Sequence, residues 1–228
     1  MRSRLSNLEL VLLAFDTATP FVTVALHDGE DVVVERRSEQ RMKHGEQLAP
    51  LIDAALAGAG VVRQDLTAIA VGVGPGPFTG LRVGLVTART LAFVLEIPVY
   101  GVCSLDVIAL EAALGRGSDG LGPVGTDFMV ATDARRKEVY LATYDDQGRR
   151  LDGPQVLRPA DAATDQPVAG EGAGLYPDAF PDAREPALPS AGWLARAVSE
   201  ELAELRDPEP MYLRRPDAVA PGAPKRVS

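Results

Sequence analysis

The sequence predicts an α/β protein assembled from two related halves. Three observations lead there. Short β-branched and aromatic runs alternate with segments of helical apolar spacing. A Gly-rich stretch, GRGSDGLGPVG at 115–125, falls at the midpoint of the 228 residues. Residues 128–145 also lie over residues 11–28 without a gap at an offset of 117. Five of those 18 pairs are identical, including Asp16 with Asp133, each at the end of an apolar strand. A gapless strand–Asp–turn–strand match spaced by half the chain points to a duplicated unit.

Taken in order, residues 11–15 (VLLAF) and 21–26 (FVTVAL) read as strands joined by a turn at 16–20, and residues 32–34 extend the sheet. Residues 44–57 carry Leu48, Leu51, Ile52, Ala55 and Leu56 at helical spacing, stopped by Gly58 and Gly60. A buried strand at 68–73 leads into the loop GPGPFTG at 74–80, which opens a long helix at 81–96. Residues 98–102 form another strand, and Ser104 is expected to cap a helix ending at 114. In the second half, residues 146–189 are rich in Pro, Gly and Asp and are expected to be irregular apart from a short strand at Val168-Ala169. A helix follows at 190–205. The predicted domains are an N-terminal lobe at 1–114, a linker at 115–127, a smaller C-terminal lobe at 128–215 and a mobile tail at 216–228.

Composition limits the function. At about 150 residues per domain the length amounts to one and a half domains, and 46% apolar with 24% charged residues is ordinary for a globular protein. The net charge is −9, with both halves mildly acidic. A chain that grips nucleic acid by itself normally presents a basic face, so autonomous DNA or RNA binding is disfavoured. The lone Cys103 leaves no disulfide framework and no multi-cysteine metal site, and reads as an inert core thiol. The apolar run at 10–15 is too short for a signal-peptide core, and residues 81–99 contain Arg82, Arg89 and Glu96, so no membrane span is expected. These features suit a cytoplasmic protein.

Three features are candidates for function. The loop at 74–80 joins a strand to a helix N-terminus, where free N–H groups attract anions. It is neither a P-loop nor G-x-G-x-x-G, and Pro75 and Pro77 remove two donors. Donors remain at Gly76, Phe78, Thr79 and Gly80; a stiff structural turn is the plainer alternative. The second feature is the carboxylate pair Asp16 and Asp133, which would hold Mg²⁺ and a nucleotide phosphate across a cleft, or would each cap a local turn. The third is the helix at 81–96. Gly84, Ala88 and Ala92 form a row of small residues that would let another helix approach, and the remaining faces are largely apolar. His27 and His44 are the only histidines, and neither belongs to a metal-binding motif.

Several segments together resemble the bacterial TsaB (YeaZ) family. They are Asp16-Thr17-Ala18-Thr19, Lys43-His44-Gly45-Glu46 with Leu51-Ile52, the loop at 74–80 with Leu81-Arg82-Val83-Gly84, DARRKEVY at 133–140, and Met211-Tyr212-Leu213-Arg214. The resemblance runs from about residue 10 to 216, departs at Pro77 where the family usually has Ser, and is poor over 146–189.

This resemblance implies a duplicated, actin-like ASKHA (ribonuclease H-like) α/β fold with two lobes. It further implies a non-catalytic subunit in the synthesis of threonylcarbamoyladenosine beside the tRNA anticodon. A TsaD-type paralogue would carry out the transfer, with a TsaE-type ATPase as a further partner and a TsaC-type enzyme supplying the threonylcarbamoyl-adenylate. A homodimer is implied when the paralogue is absent. The implied interface residues are His44, Leu48, Leu51, Ile52, Gly84, Thr87, Ala88, Leu91 and Ala92, and Ala88→Arg is expected to weaken the contact. Candidate nucleotide or phosphate contacts are Asp16, Thr17, Gly76, Thr79, Gly80 and Asp133. No catalytic residue, metal or tightly bound cofactor is expected, with ATP or ADP and Mg²⁺ at or near the partner interface as the candidate ligand. An autonomous ATPase or phosphotransferase using Asp16, Asp133 and Thr79 is the alternative; a glycoprotease-like peptidase is the least favoured reading.

Overall fold

The computed structural model describes residues 10–115 and 123–214. The expected tail at 216–228 and most of the expected linker lie outside the described residues.

The first sheet is built from β1 (Leu12–Asp16), β2 (Thr23–His27), β3 (Val32–Arg37), β4 (Ala68–Gly72) and β5 (Val99–Val102), in the order β3-β2-β1-β4-β5. Its first three strands form an antiparallel meander, and β4 and β5 run parallel to β1. Helices α1 (His44–Ala59), α2 (Phe78–Leu95) and α3 (Ser104–Leu114) belong to this half. The second sheet contains β6 (Phe128–Asp133), β7 (Val139–Tyr144), β8 (Arg150–Leu157), β9 (Val168–Ala169) and β10 (Ala183–Arg184), in the order β10-β9-β6-β7-β8. Read from its other edge this is the same topology, with the same parallel and antiparallel pairings. The expected duplication is therefore present in the backbone itself.

The expectation for 146–189 was wrong. That stretch supplies three strands of the second sheet together with α4 (Glu171–Leu175), and only the strand at Val168–Ala169 was legible. Strand β8 contains Gly153-Pro154, which reads locally as a turn, and β10, at two residues, is too short to carry a period-2 signal. Helix α5 (Ala191–Ser199) follows, capped by Ser190, whose hydroxyl accepts the Trp193 N–H at 3.1 Å.

Five layers result. One face of the first sheet (Leu13, Phe15, Ile69, Val71) packs on α1 and α2. Its other face (Leu12, Ala14, Ala68, Ala70) packs on α3 and α5. The opposite side of α3 (Leu105, Ile108, Ala109, Ala112) meets Phe128, Val130 and Tyr144 of the second sheet, whose far face covers α4. Helix α3 thus touches both sheets, which explains why its sequence, SLDVIALEAAL, is apolar nearly all round. Its polar Asp106 accepts the Tyr144 hydroxyl at 2.8 Å and pairs with Arg150 at 3.3 Å, so the buried carboxyl is not orphaned.

Glu111, on the same helix, is less well served. Burial first, then the nearby Glu35, pushes its carboxyl up to about 7, and its Oε2 has no hydrogen-bond partner among the described residues. Because the folded-state value lies above the unfolded one, the native state loses stability as pH rises through about 7. Glu111→Gln should therefore raise the unfolding free energy by about 1–2 kcal/mol at pH 8, after discounting for partial solvent screening, and by little near pH 5. Urea melts at the two pH values check this; an equal effect at both would show that charge is not the cause.

Candidate functional site

The turn after β1 is closed from every side. Asp16 is buried; its Oδ1 accepts the Ala18 N–H at 2.6 Å and its Oδ2 accepts the Ser104 hydroxyl at 2.6 Å. Ser104 Oγ in turn accepts the Gly74 N–H at 3.2 Å. Ser104 is therefore the first residue inside α3 and a partner of Asp16 rather than the expected cap, and Cys103 holds the cap position without a side-chain bond. Burial raises the Asp16 pKa, opposed by its bonds from Ser104 and Ala18. Thr17 Oγ1 donates to the Gly80 carbonyl at 2.9 Å, and His44 Nε2–H donates to the Thr19 carbonyl at 2.7 Å.

The glycines let the loop and helix come this close. A Cβ on Gly72 would overlap the Asp16 carboxylate, one on Gly76 the Ala18 carbonyl, and one on Gly84 the Thr17 hydroxyl. Of the candidate phosphate contacts, Asp16, Thr17 and Gly80 are thus turned inward, Gly76 is half-buried and Thr79 is exposed.

Asp133 does not mirror Asp16. Strand alternation puts Asp16 on the face of Leu12 and Ala14, toward α3, whereas Asp133 shares its face with Met129 and Ala131, toward α4. The residue paired with β7 as Asp16 pairs with β2 is Thr132, which meets Tyr140. The gapless alignment is one residue out in β6, and one residue flips the face. Asp133 instead accepts the Arg135 N–H at 2.8 Å and pairs with the Arg135 guanidinium at 3.2 Å. A carboxylate pair holding Mg²⁺ and phosphate across the cleft does not fit these residues. Both carboxylates cap their own turns, the plainer of the two alternatives.

His27 is also internal: its Nδ1 accepts the Gly29 N–H at 3.0 Å, and desolvation lowers its pKa. Among the described residues no group of three His, Cys, Asp or Glu side chains is arranged to hold a metal. Cys103 is fully buried and its thiol is pushed up to about 12, chiefly by that burial.

The outward face of α2 is the unusual surface. Phe93 is 85% exposed, Val94 68% and Val86 63%, with Arg82 and Arg89 beside them. The Arg82 guanidinium lies 4.0 Å over the Phe78 ring. Among the described helices α2 is the one long and apolar enough to cross a membrane by length and composition. It also carries two arginines and buries Leu81, Leu85, Ala88 and Ala92 against its own sheet.

Six of the nine expected interface residues are buried within the chain itself. Gly84, Ala88 and Ala92 face inward, as do His44, Leu48 and Ile52 of α1. Small residues permit close approach by any neighbour, and here the neighbours are the 16–19 turn and the chain's own core. Leu51, Thr87 and Leu91 are half-buried at the rim. Ala88 is fully buried, so Ala88→Arg would disrupt folding before it reported on a partner. Sequence reading did not single out the exposed Val86, Phe93 and Val94.

The chain is thus a two-lobed, duplicated α/β protein whose cleft-side turns are tied up internally and whose α2 exposes an apolar face. Comparison with known proteins makes the assignment specific. A family model described as TsaD, tRNA N6-adenosine threonylcarbamoyltransferase, matches residues 33–178. The chain is 44% identical over 212 residues to the uncharacterized protein Rv3421c of Mycobacterium tuberculosis, covering 91% of this chain and 93% of that one. It is 35% identical over 136 residues to the tRNA threonylcarbamoyladenosine biosynthesis protein TsaB of Bacillus subtilis, covering 59% of this chain and 55% of that one. The solved structure of YeaZ from Pseudomonas aeruginosa matches with a TM-score of 0.73 at 30% identity, over 90% of this chain and all of that one. The chain belongs to the TsaB (YeaZ) family.

Proposed function

We propose that this chain serves tRNA threonylcarbamoyladenosine biosynthesis as a non-catalytic subunit that docks a TsaD-type partner through α1 and α2. The observation that carries the reading is the exposure of Val86, Phe93 and Val94 on the outward side of α2, large apolar side chains of the kind that mark a protein contact. The partner is argued from the chain itself: it matches a TsaD family model, so a partner of related fold would present an equivalent helix pair. Two like helix pairs can pack as four helices across a pseudo-two-fold axis, and the same surface would pair two copies of this chain when the partner is absent.

The internal bonding of Asp16, Thr17 and Gly80 argues against nucleotide turnover by this chain alone. Its own contribution to any ATP or ADP site near the partner is limited to Gly76, Thr79 and Asp133. The acidic balance suits a cytoplasmic subunit that leaves tRNA contact to its partners. A TsaE-type ATPase completes the proposed assembly.

The test is reconstitution of tRNA modification from purified TsaD-, TsaE- and TsaC-type proteins with and without this chain, followed by mass spectrometry of the nucleosides. The modified nucleoside is expected only when the chain is present. Equal yield without it would overturn the proposal, and Mg²⁺-dependent ATP turnover by the isolated chain would favour the phosphotransferase alternative.

A further inference from the structure

The Met-Tyr-Leu-Arg motif at 211–214 ties the two lobes together. After α5 the chain returns to the first lobe, where Arg206 exchanges both backbone hydrogen bonds with Gly101 of β5, at 2.8 and 2.9 Å. Met211 N–H then donates to the Val73 carbonyl at 2.9 Å, and its side chain packs against the core clusters of both lobes. The Tyr212 ring stacks on Phe78, the first residue of α2, with centroids 5.0 Å apart. Leu213 packs on the core of the second lobe. Arg214 donates to the Ala134 carbonyl at 3.1 Å and pairs with Glu138, gripping both ends of the β6–β7 turn.

That turn needs gripping. Arg135, Arg136 and Lys137 are consecutive non-glycine residues with φ of 62°, 55° and 60°. Left-handed backbone is disfavoured for such side chains and persists only where its surroundings over-determine it. A cavity of about 220 Å³ lies between the turn, the glycine loop and the motif, lined by Gly76, Phe78, Arg135, Tyr140, Tyr212 and Arg214.

We infer that residues 211–214 form a latch that holds the cleft between the lobes shut and fixes the first turn of α2 against the second lobe. The partner then meets one preset surface. The effect on docking rests on the proposed function; the effect on the lobes does not. Tyr212 and Arg214 are positioning residues in this scheme, since neither needs to touch the partner.

The experiment labels exposed positions on the two lobes, Gln64→Cys and Asp165→Cys, with spin labels in the full chain, leaving Cys103 buried. Inter-label distances and hydrogen exchange at 134–138 are measured for the parent, Tyr212→Ala, Arg214→Gln and Tyr212→Phe. The first two variants should broaden the distance distribution, speed exchange at the turn at least tenfold, and weaken TsaD-type partner binding about tenfold. Tyr212→Phe, which keeps the stacking ring, should behave like the parent. Distances and exchange unchanged in Tyr212→Ala and Arg214→Gln would overturn the latch. Loss of lobe order with no partner binding even by the parent would instead support the latch and remove the docking proposal.

Discussion

Phe93→Glu is expected to weaken association with a TsaD-type partner by about 100-fold, close to 2.7 kcal/mol, while leaving the fold intact. A central exposed aromatic commonly contributes 2 kcal/mol or more to an interface, and a carboxylate in its place would have to be desolvated without a counter-ion. Phe93 is 85% exposed in the free chain, so its removal should change unfolding free energy by no more than about 0.5 kcal/mol. Ala88→Arg, one turn away on the inner face, should do the opposite. It would force a guanidinium into a site with no exposed surface, and the loss of complex would follow from loss of fold. Calorimetric titration and thermal melts of the two variants separate these outcomes. Undiminished binding by Phe93→Glu would show that the outward face of α2 is not the docking surface.

Gly76→Ala should destabilise the protein by about 3 kcal/mol, although alanine is the smallest side chain that could be added. The new Cβ would lie against the Ala18 backbone carbonyl, and neither the loop nor the turn has a flexible side chain to move aside. Gly45→Ala is the matched control. It sits in the exposed first turn of α1 with nothing within 4 Å of the added carbon, so it should be neutral or stabilising by up to about 1 kcal/mol. Urea denaturation of both variants measures the difference. A Gly76→Ala variant as stable as the parent would mean that the loop is not held by its contact with the 16–19 turn, and a ligand-binding explanation for its glycines would have to be revisited.

The loop shows how far residue patterns reach. GPGPFTG between a strand and a helix was legible as a rigid turn because proline and glycine act locally. What the turn touches was not legible, since the Ala18 carbonyl and Thr17 hydroxyl come from residues some 60 positions earlier. The Asp16 network likewise depends on Ser104, 88 residues away, which sequence alone casts as a helix cap. In the second lobe, the β6–β7 unit was visible through its repeat of β1–β2, while β8 was masked by its internal Gly153-Pro154 and β10, at two residues, offered no pattern to read. Family resemblance implied α1 and α2 as interface helices, and six of the nine residues it named face the chain's own core.

The sequence by itself determined the α/β class, the duplicated order of elements, the absence of histidine- or cysteine-rich metal motifs, and the family. These follow from local propensity, periodicity and composition, which need no knowledge of distant neighbours. Only the tertiary structure decided which face of α2 is wet and which way Asp133 points. Both are questions of orientation: a helix rotation or a one-residue strand slip leaves the local pattern nearly unchanged, and packing against distant residues selects between the choices.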